Sequence, residues 1–239
     1  GEFVCRELAG HVDEGYGDFM ARCIPTLDRR RIAGVRTPDL RRIARMLGRR
    51  EDAGSFMRAL PHRLFEENQV HALALGAVGD YDAAIGLYDA FLPHVDNWAT
   101  CDQLPVRVLA RRSAETLAHV DRWLASGSCH TMRFAIGVLM RLFLGERFEP
   151  RFLDKVAATR FSCAPDCPEP GSDAYYVDMM RAWYFAEALA RQGEHAMPYL
   201  ERGGGGAPLD EWTRRKAVQK ALKSRKITPE FKALLRAWR

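Results

Sequence analysis

No apolar run in these 239 residues approaches the roughly 20 that a membrane-spanning helix requires, and no cationic segment followed by an apolar stretch opens the chain. Both absences argue for a cytoplasmic protein. Period-two alternation is nearly missing as well, which leaves little from which to build a sheet. The six cysteines, at 5, 23, 101, 129, 163 and 167, are too scattered for a disulfide framework and suit reduced thiols. Cys163 and Cys167 lie close together in CAPDC, but no second closely spaced ligand pair accompanies them, so they read as loop thiols. His130 beside Cys129 does not alter this, and neither metal nor cofactor is expected. The four glycines at 203–206 lack the preceding strand and following lysine of a phosphate cradle and read as a flexible hairpin loop. No Ser-His-Asp or Cys-His set shows a recognisable spacing. Gly1-Glu2-Phe3 resembles a cloning remnant and is set aside, which leaves 4–239 as one domain.

What the chain does have is helical period almost throughout, with 47% hydrophobic residues to supply a core. The breaks carry clear punctuation, among them Pro25, Pro38, Pro61, Gly79, Pro93 and Pro150, and Thr37 before Pro38 predicts a capped helix start. From residue 63 onward helices pair up, beginning near 63, 98, 129, 174 and 210. Those spacings fall in the range of helical-hairpin repeats, in which each pair buries its apolar face only against its neighbours. The expected fold is therefore all-α, a curved α-solenoid. Its concave surface would be made by one helix of each pair, which could bring Trp98, Arg133 and Trp183 to one groove.

Charge is concentrated. Between Arg29 and Arg50 lie nine arginines and one acid, Asp39, and between Arg214 and Lys226 lie seven basic residues and no acid. With an isoelectric point near 9.0, such blocks are the footprint of a polyanion binder. Solvated helix faces are the plainer alternative. Arg41, Arg45 and Arg49 at i, i+4, i+8 fit both.

The candidate for chemistry is Asp96-Asn97-Trp98-Ala99-Thr100-Cys101-Asp102, which sets an indole and a carboxylate four residues apart on one helical face. A helix over 98–111 would continue that line through Val106 and Leu109, so that Asp102 interrupts an apolar stripe and needs a partner, water or a function. The structural alternative makes Trp98 a core aromatic and Asp102 the partner of a neighbouring backbone group or arginine. Farther on, Arg133, Gly137 and Arg141 lie at i, i+4, i+8, and two guanidinium groups separated by a glycine leave room for a bulky polyanion such as phosphate. Tyr176, Met180, Trp183 and Glu187 share a face, on which Tyr176 and Met180 suit the core and Trp183 is less settled. Glu66 and Glu67 point about 100° apart and cannot share a substrate, so they are expected at the surface or in a local ion pair. His71, on an apolar helix, reads as a satisfied, partly buried imidazole.

Six segments in order resemble the AlkD-type DNA alkylation repair family: GVRTPDLRRIAR (34–45), FEENQVHALALG (65–76), VDNWATCD (95–102), TMRFAIGVLM (131–140), YYVDMMRAWYFAEALA (175–190) and AVQKALKSRKIT (217–228). The resemblance spans nearly the whole chain. It implies HEAT-like helical repeats and a glycosylase that excises cationic N3- or N7-alkylated purines from duplex DNA without a metal. The family's Trp and Asp, which contact the damaged nucleotide's sugar and position the attacking water, match Trp98 and Asp102. Its arginine on the following repeat matches Arg133, its second tryptophan Trp183, and a further basic residue Arg141. The chain departs from better-known members at Asn97, where another tryptophan is common, at Ala186, where an arginine is common, and near Pro25, where an N-terminal aromatic has no clear match.

The expectation is thus a cytoplasmic, monomeric DNA repair hydrolase. Trp98, Asp102, Arg133 and Trp183 would serve catalysis. Arg141, Arg214, Arg215, Lys216, Lys220, Lys223, Arg225 and Lys226 would bind duplex DNA. A non-catalytic binder of damaged or unusual DNA on the same scaffold, and a protein-interaction solenoid with an acidic partner, are the alternatives.

Overall fold

The computed structural model describes residues 1–161, 167–201 and 209–237, and among these it holds fourteen α-helices joined by short 3-10 turns, with no strand. The chain divides into two compact units, 1–116 and 117–239. The first contains α1 (Glu2–Ala9), α2 (Glu14–Cys23), α3 (Thr37–Leu47), α4 (Ala53–Arg58), α5 (Phe65–Ala74), α6 (Tyr81–Phe91) and α7 (Trp98–Gln103). The division falls within α8 (Ser113–Leu124), after which come α9 (Cys129–Leu142), α10 (Arg151–Ala158), α11 (Asp173–Arg191), α12 (Gly193–Ala196), α13 (Glu211–Lys223) and α14 (Pro229–Ala237).

Alternate helices stack on one another in each unit, as the sequence spacing predicts. In the first, α3 packs on α5 and α5 on α7; in the second, α9 packs on α11 and α11 on α13. These five later helices begin at 65, 98, 129, 173 and 211, close to the expected starts, and their packing is that of a helical repeat. Leu40, Ile43 and Leu47 give α3 its buried stripe, while Arg41 and Arg45 hold its exposed edge. The expected cap differs: Thr37 is itself the first helical residue and the start has no side-chain capping bond, with Pro38 pre-set in the first turn.

Two polar anchors, neither expected from periodicity, hold the units internally. In the first, Glu66 is fully buried and its carboxylate accepts from the backbone N–H groups of Ala33, Gly34 and Val35 at 2.9, 2.7 and 3.3 Å. Gly34 has φ +88°, and a Cβ there would lie 2.0 Å from the Asp13 carbonyl oxygen, so only glycine fits. Glu67, also buried, accepts from Arg63 and Leu64 N–H at 3.1 and 2.8 Å and takes the Cys5 thiol at 3.3 Å. The surface placement expected for this pair is thereby corrected: backbone donors at a helix start and in a turn needed acceptors, and both carboxylates are spent on them.

In the second unit the anchor is Arg181, 1% exposed. Its guanidinium reaches Asp178 and Asp210, each at 2.7 Å, Thr213 Oγ1 at 3.2 Å, and the carbonyls of Val156 and Ala157. Asp210 also pairs with Arg160 at 3.3 Å and accepts from Thr213 N–H at the start of α13. Two cations therefore meet two anions, the balance a buried cluster requires. Burial pushes the Asp178 carboxyl up. Asp210, against its burial, is held below the usual carboxylate range by the Thr213 N–H and Arg181.

Candidate functional site

The helix bearing Trp98 and Asp102 is fixed at its N-terminus by its own motif. Asn97 Oδ1 caps Thr100 N–H at 2.8 Å, Asn97 Nδ2 donates to Asp96 at 2.9 Å, and Asp96 in turn binds Arg31 at 2.6 Å. Within the helix Thr100 Oγ1 accepts from Gln69 of α5 at 2.8 Å, and Gln103 reaches the same Gln69 side chain. Every polar side chain of VDN before Trp98 is thus committed to holding α7 in place.

Trp98 is half-buried, packed on Ile24, Leu27, Ile32, Phe65 and Ala99, and its indole N–H donates to the Cys23 carbonyl at 3.2 Å. Asp102, one turn on, is half-buried. Indole and carboxylate share a face through the expected i, i+4 spacing, but the helix that carries them is shorter than expected. The helix ends at Gln103, because Leu104 precedes Pro105 and is driven out of the helical region, so Val106 and Leu109 do not continue the line. Asp102 therefore stands at the end of a helix of one and a half turns, where a carboxylate needs no apolar stripe to interrupt.

In the second unit, α9 carries Arg133 and Arg141 eight residues apart, as expected, yet their environments differ. Arg133 is 6% exposed, and its Nη1 donates to the Tyr176 carbonyl of α11 at 2.9 Å. Arg141 is half-buried and bends back, donating from Nε to the Gly137 carbonyl at 3.1 Å. A Cβ on Gly137 would meet the Arg141 guanidinium at 3.3 Å and Met180 at 3.5 Å. The space over the glycine is occupied by side chains and is not the open berth for a polyanion that the spacing suggested. On α11 Tyr176 and Met180 are buried, as their apolar positions indicated, whereas Trp183 is half-buried with the Lys220 ammonium 6.0 Å from its ring.

The cationic blocks are thinned by internal pairing. Arg29, Arg30, Arg31, Arg36, Arg42 and Arg50 each pair with an aspartate or glutamate, most of them outside the block, while Arg41, Arg45 and Arg49 are exposed and make no ion pair among the described residues. The helix stops at Leu47, so only Arg41 and Arg45 share its edge. In the C-terminal block Arg214 is 4% exposed, bidentate to Glu211 at 2.7 and 2.8 Å, which removes it from the expected DNA-binding face. Lys226 pairs with Glu187 at 2.6 Å, and Lys216 lies 5.3 Å from the Trp212 ring. Arg215, Lys223 and Arg225 are exposed.

His71 is fully buried, more so than expected. Its Nδ1 lies 2.9 Å from His62 Nε2, and its ring stacks on Phe91 with centroids 3.9 Å apart. The cysteines at 5, 23, 101, 129 and 167 form no disulfide. Cys163 and the glycines at 203–206 lie outside the described residues.

Residues 4–153 match the sequence profile of the family described as DNA alkylation repair enzyme. The chain belongs to the DNA alkylation repair enzyme family. No curated protein matches it. The family segment takes in the whole first unit from residue 4, with Trp98 and Asp102, and the start of the second, with Arg133 and Arg141. Trp183 and the 214–226 cations lie beyond it. A DNA repair role follows from membership, with DNA as what this family acts on, and no described helix is long and apolar enough to cross a membrane.

Proposed function

We propose that this DNA alkylation repair family member is a glycosylase that hydrolyses the N-glycosidic bond of cationic N3- or N7-alkylated purines in duplex DNA. The observation that carries the reading is α7: a half-buried carboxylate, Asp102, and an anchored indole, Trp98, held on one face of a helix whose N-terminus is locked by Asp96, Asn97 and Arg31. An alkylated purine already bears positive charge, so the C1′–N bond can break with its electrons passing to the base, which leaves neutral. The enzyme's task is to stabilise the sugar cation left behind. Asp102 supplies the anion and holds the water that attacks C1′, taking up its proton, while Trp98 offers an aromatic face to positive charge. Arg133, buried and bonded to Tyr176, is assigned a positioning role between α9 and α11.

Incubation with duplex DNA containing 7-methylguanine tests the reading directly. Release of free base at a rate well above spontaneous depurination is expected. Binding without release would favour a non-catalytic reader of damaged DNA on the same scaffold.

A further inference from the structure

We propose that the first unit also carries a pocket for a small amphiphilic monoanion, an apolar carboxylate of the fatty-acid or arylalkanoate class. A cavity of about 490 Å³ opens among the end of α3, α4, the turn after α5, and α6. That volume lies within the range of small-ligand sites. The cavity exists because the residues facing it are small: Gly54 on α4, Ala77 in the turn, Ala83 and Gly86 on α6. Ala83 and Gly86 are themselves exposed, and a Cβ on Gly86 would meet nothing within 4 Å, so α6 forms the solvent-open mouth of the cavity.

Among the lining residues Arg58 alone is charged. It is exposed and forms no ion pair among the described residues, unlike six arginines of the nearby 29–50 block. Its guanidinium folds back over Gly54, with Nη1 3.0 Å from where a Gly54 Cβ would stand. One unpaired cation on the rim of an apolar chamber complements one anionic head on an apolar body, and guanidinium binds carboxylate with two parallel hydrogen bonds. A nucleic acid is a poor match, because its many phosphates would find one donor side chain and otherwise glycine, alanine, leucine, valine and methionine. Neither Trp98 nor Asp102 lines the cavity, so this pocket is separate from the proposed DNA chemistry.

The test uses decanoate below its micelle concentration, with 1-decanol as the uncharged counterpart, on the full chain. Decanoate should bind saturably at one site by calorimetry, and its titration should shift the methyl resonances of Ala77, Ala83 and Leu87 in the unmodified protein. Gly86→Leu, which fills the chamber with a helix-compatible side chain, should weaken decanoate at least tenfold. Arg58→Gln should weaken decanoate about five- to tenfold and leave decanol unchanged. Absence of saturable binding, or methyl shifts that map elsewhere, overturns the proposal, and does so without relying on the fold of any variant. Equal loss of decanoate and decanol in Arg58→Gln overturns the assignment of the anionic head.

Discussion

Three carboxylates of the first unit show how little a residue's type says about its work. Glu66 and Glu67 are consumed by backbone N–H groups, while Asp102 is half-buried at the end of α7. Replacing Asp102 by Asn should abolish base release while leaving DNA affinity unchanged or slightly raised, since the charge is required only as the sugar becomes cationic. A loss of about 3 kcal/mol of transition-state stabilisation corresponds to a rate reduction of at least a hundredfold. Excision rate, DNA affinity and melting temperature on the same variant decide the matter, and a loss of activity that merely tracks unfolding would remove Asp102 from the chemistry. Glu66→Gln should behave in the opposite way. One of its two oxygens becomes an N–H donor facing the N–H groups of 33–35, which costs about 3 kcal/mol and should lower the melting temperature by roughly 10 °C. A melting point within 2 °C or so of the parent would mean that the turn at Gly34 does not depend on this acceptor.

At the scale of elements, helix existence was legible and helix ends less so. Period gave α3 and α13 because each buries one face on its neighbours, while α5 and α9, buried nearly all round, and α11, buried over most of its length, were marked by their apolar content and start signals. It overran α7, since apolar Val106 and Leu109 keep a helical spacing that Leu104-Pro105 interrupts in the backbone. The buried anchors were illegible for another reason: Glu66 meets residues some 30 positions earlier and Arg181 meets Asp210 about 30 later, and no local pattern encodes such pairs. The His62–His71 pair beside α5 makes an element-level prediction. Burial lowers both imidazoles, to about 4 and about 3, so the folded unit excludes protons that the unfolded chain would accept. A depressed histidine contributes in full above the unfolded value of about 6.5, and its contribution is lost as pH falls from there toward 4. His62→Phe keeps a ring beside Phe56 and deletes one proton site. It should flatten the stability–pH curve between pH 6.5 and 4.5 by up to about 1.4 kcal/mol per pH unit. Urea unfolding across that window measures it, and parallel curves for parent and variant would show that the pair titrates normally.

For the molecule as a whole, the family match and the charge map bear on the same question from different sides. The profile covers residues 4–153 and so says nothing of the C-terminal cations, whose assignment to DNA rests on charge and exposure. The formal net charge of +5 is modest, and the sequence blocks overstated it locally, because acids near and far in sequence pair with six of the nine arginines of the first block and Glu211 and Glu187 take Arg214 and Lys226 of the second. If duplex DNA is held mainly through phosphates, affinity should fall steeply with salt, since each contact releases about one counterion. Exposure then predicts which residues matter. Arg215→Gln, Lys223→Gln and Arg225→Gln should each reduce the magnitude of the log K against log salt slope by roughly 1, and so should Arg41→Gln and Arg45→Gln if the exposed edge of α3 also meets the backbone. Arg214→Gln should instead leave the slope alone and lower the melting temperature, because its guanidinium is buried against Glu211 and the Leu200 carbonyl. The comparison separates a phosphate contact from a structural cation within one block of sequence. A slope near zero for the parent protein would exclude backbone binding altogether, and an Arg214 variant that changed the slope as much as Arg215 would show that this pairing opens when DNA binds.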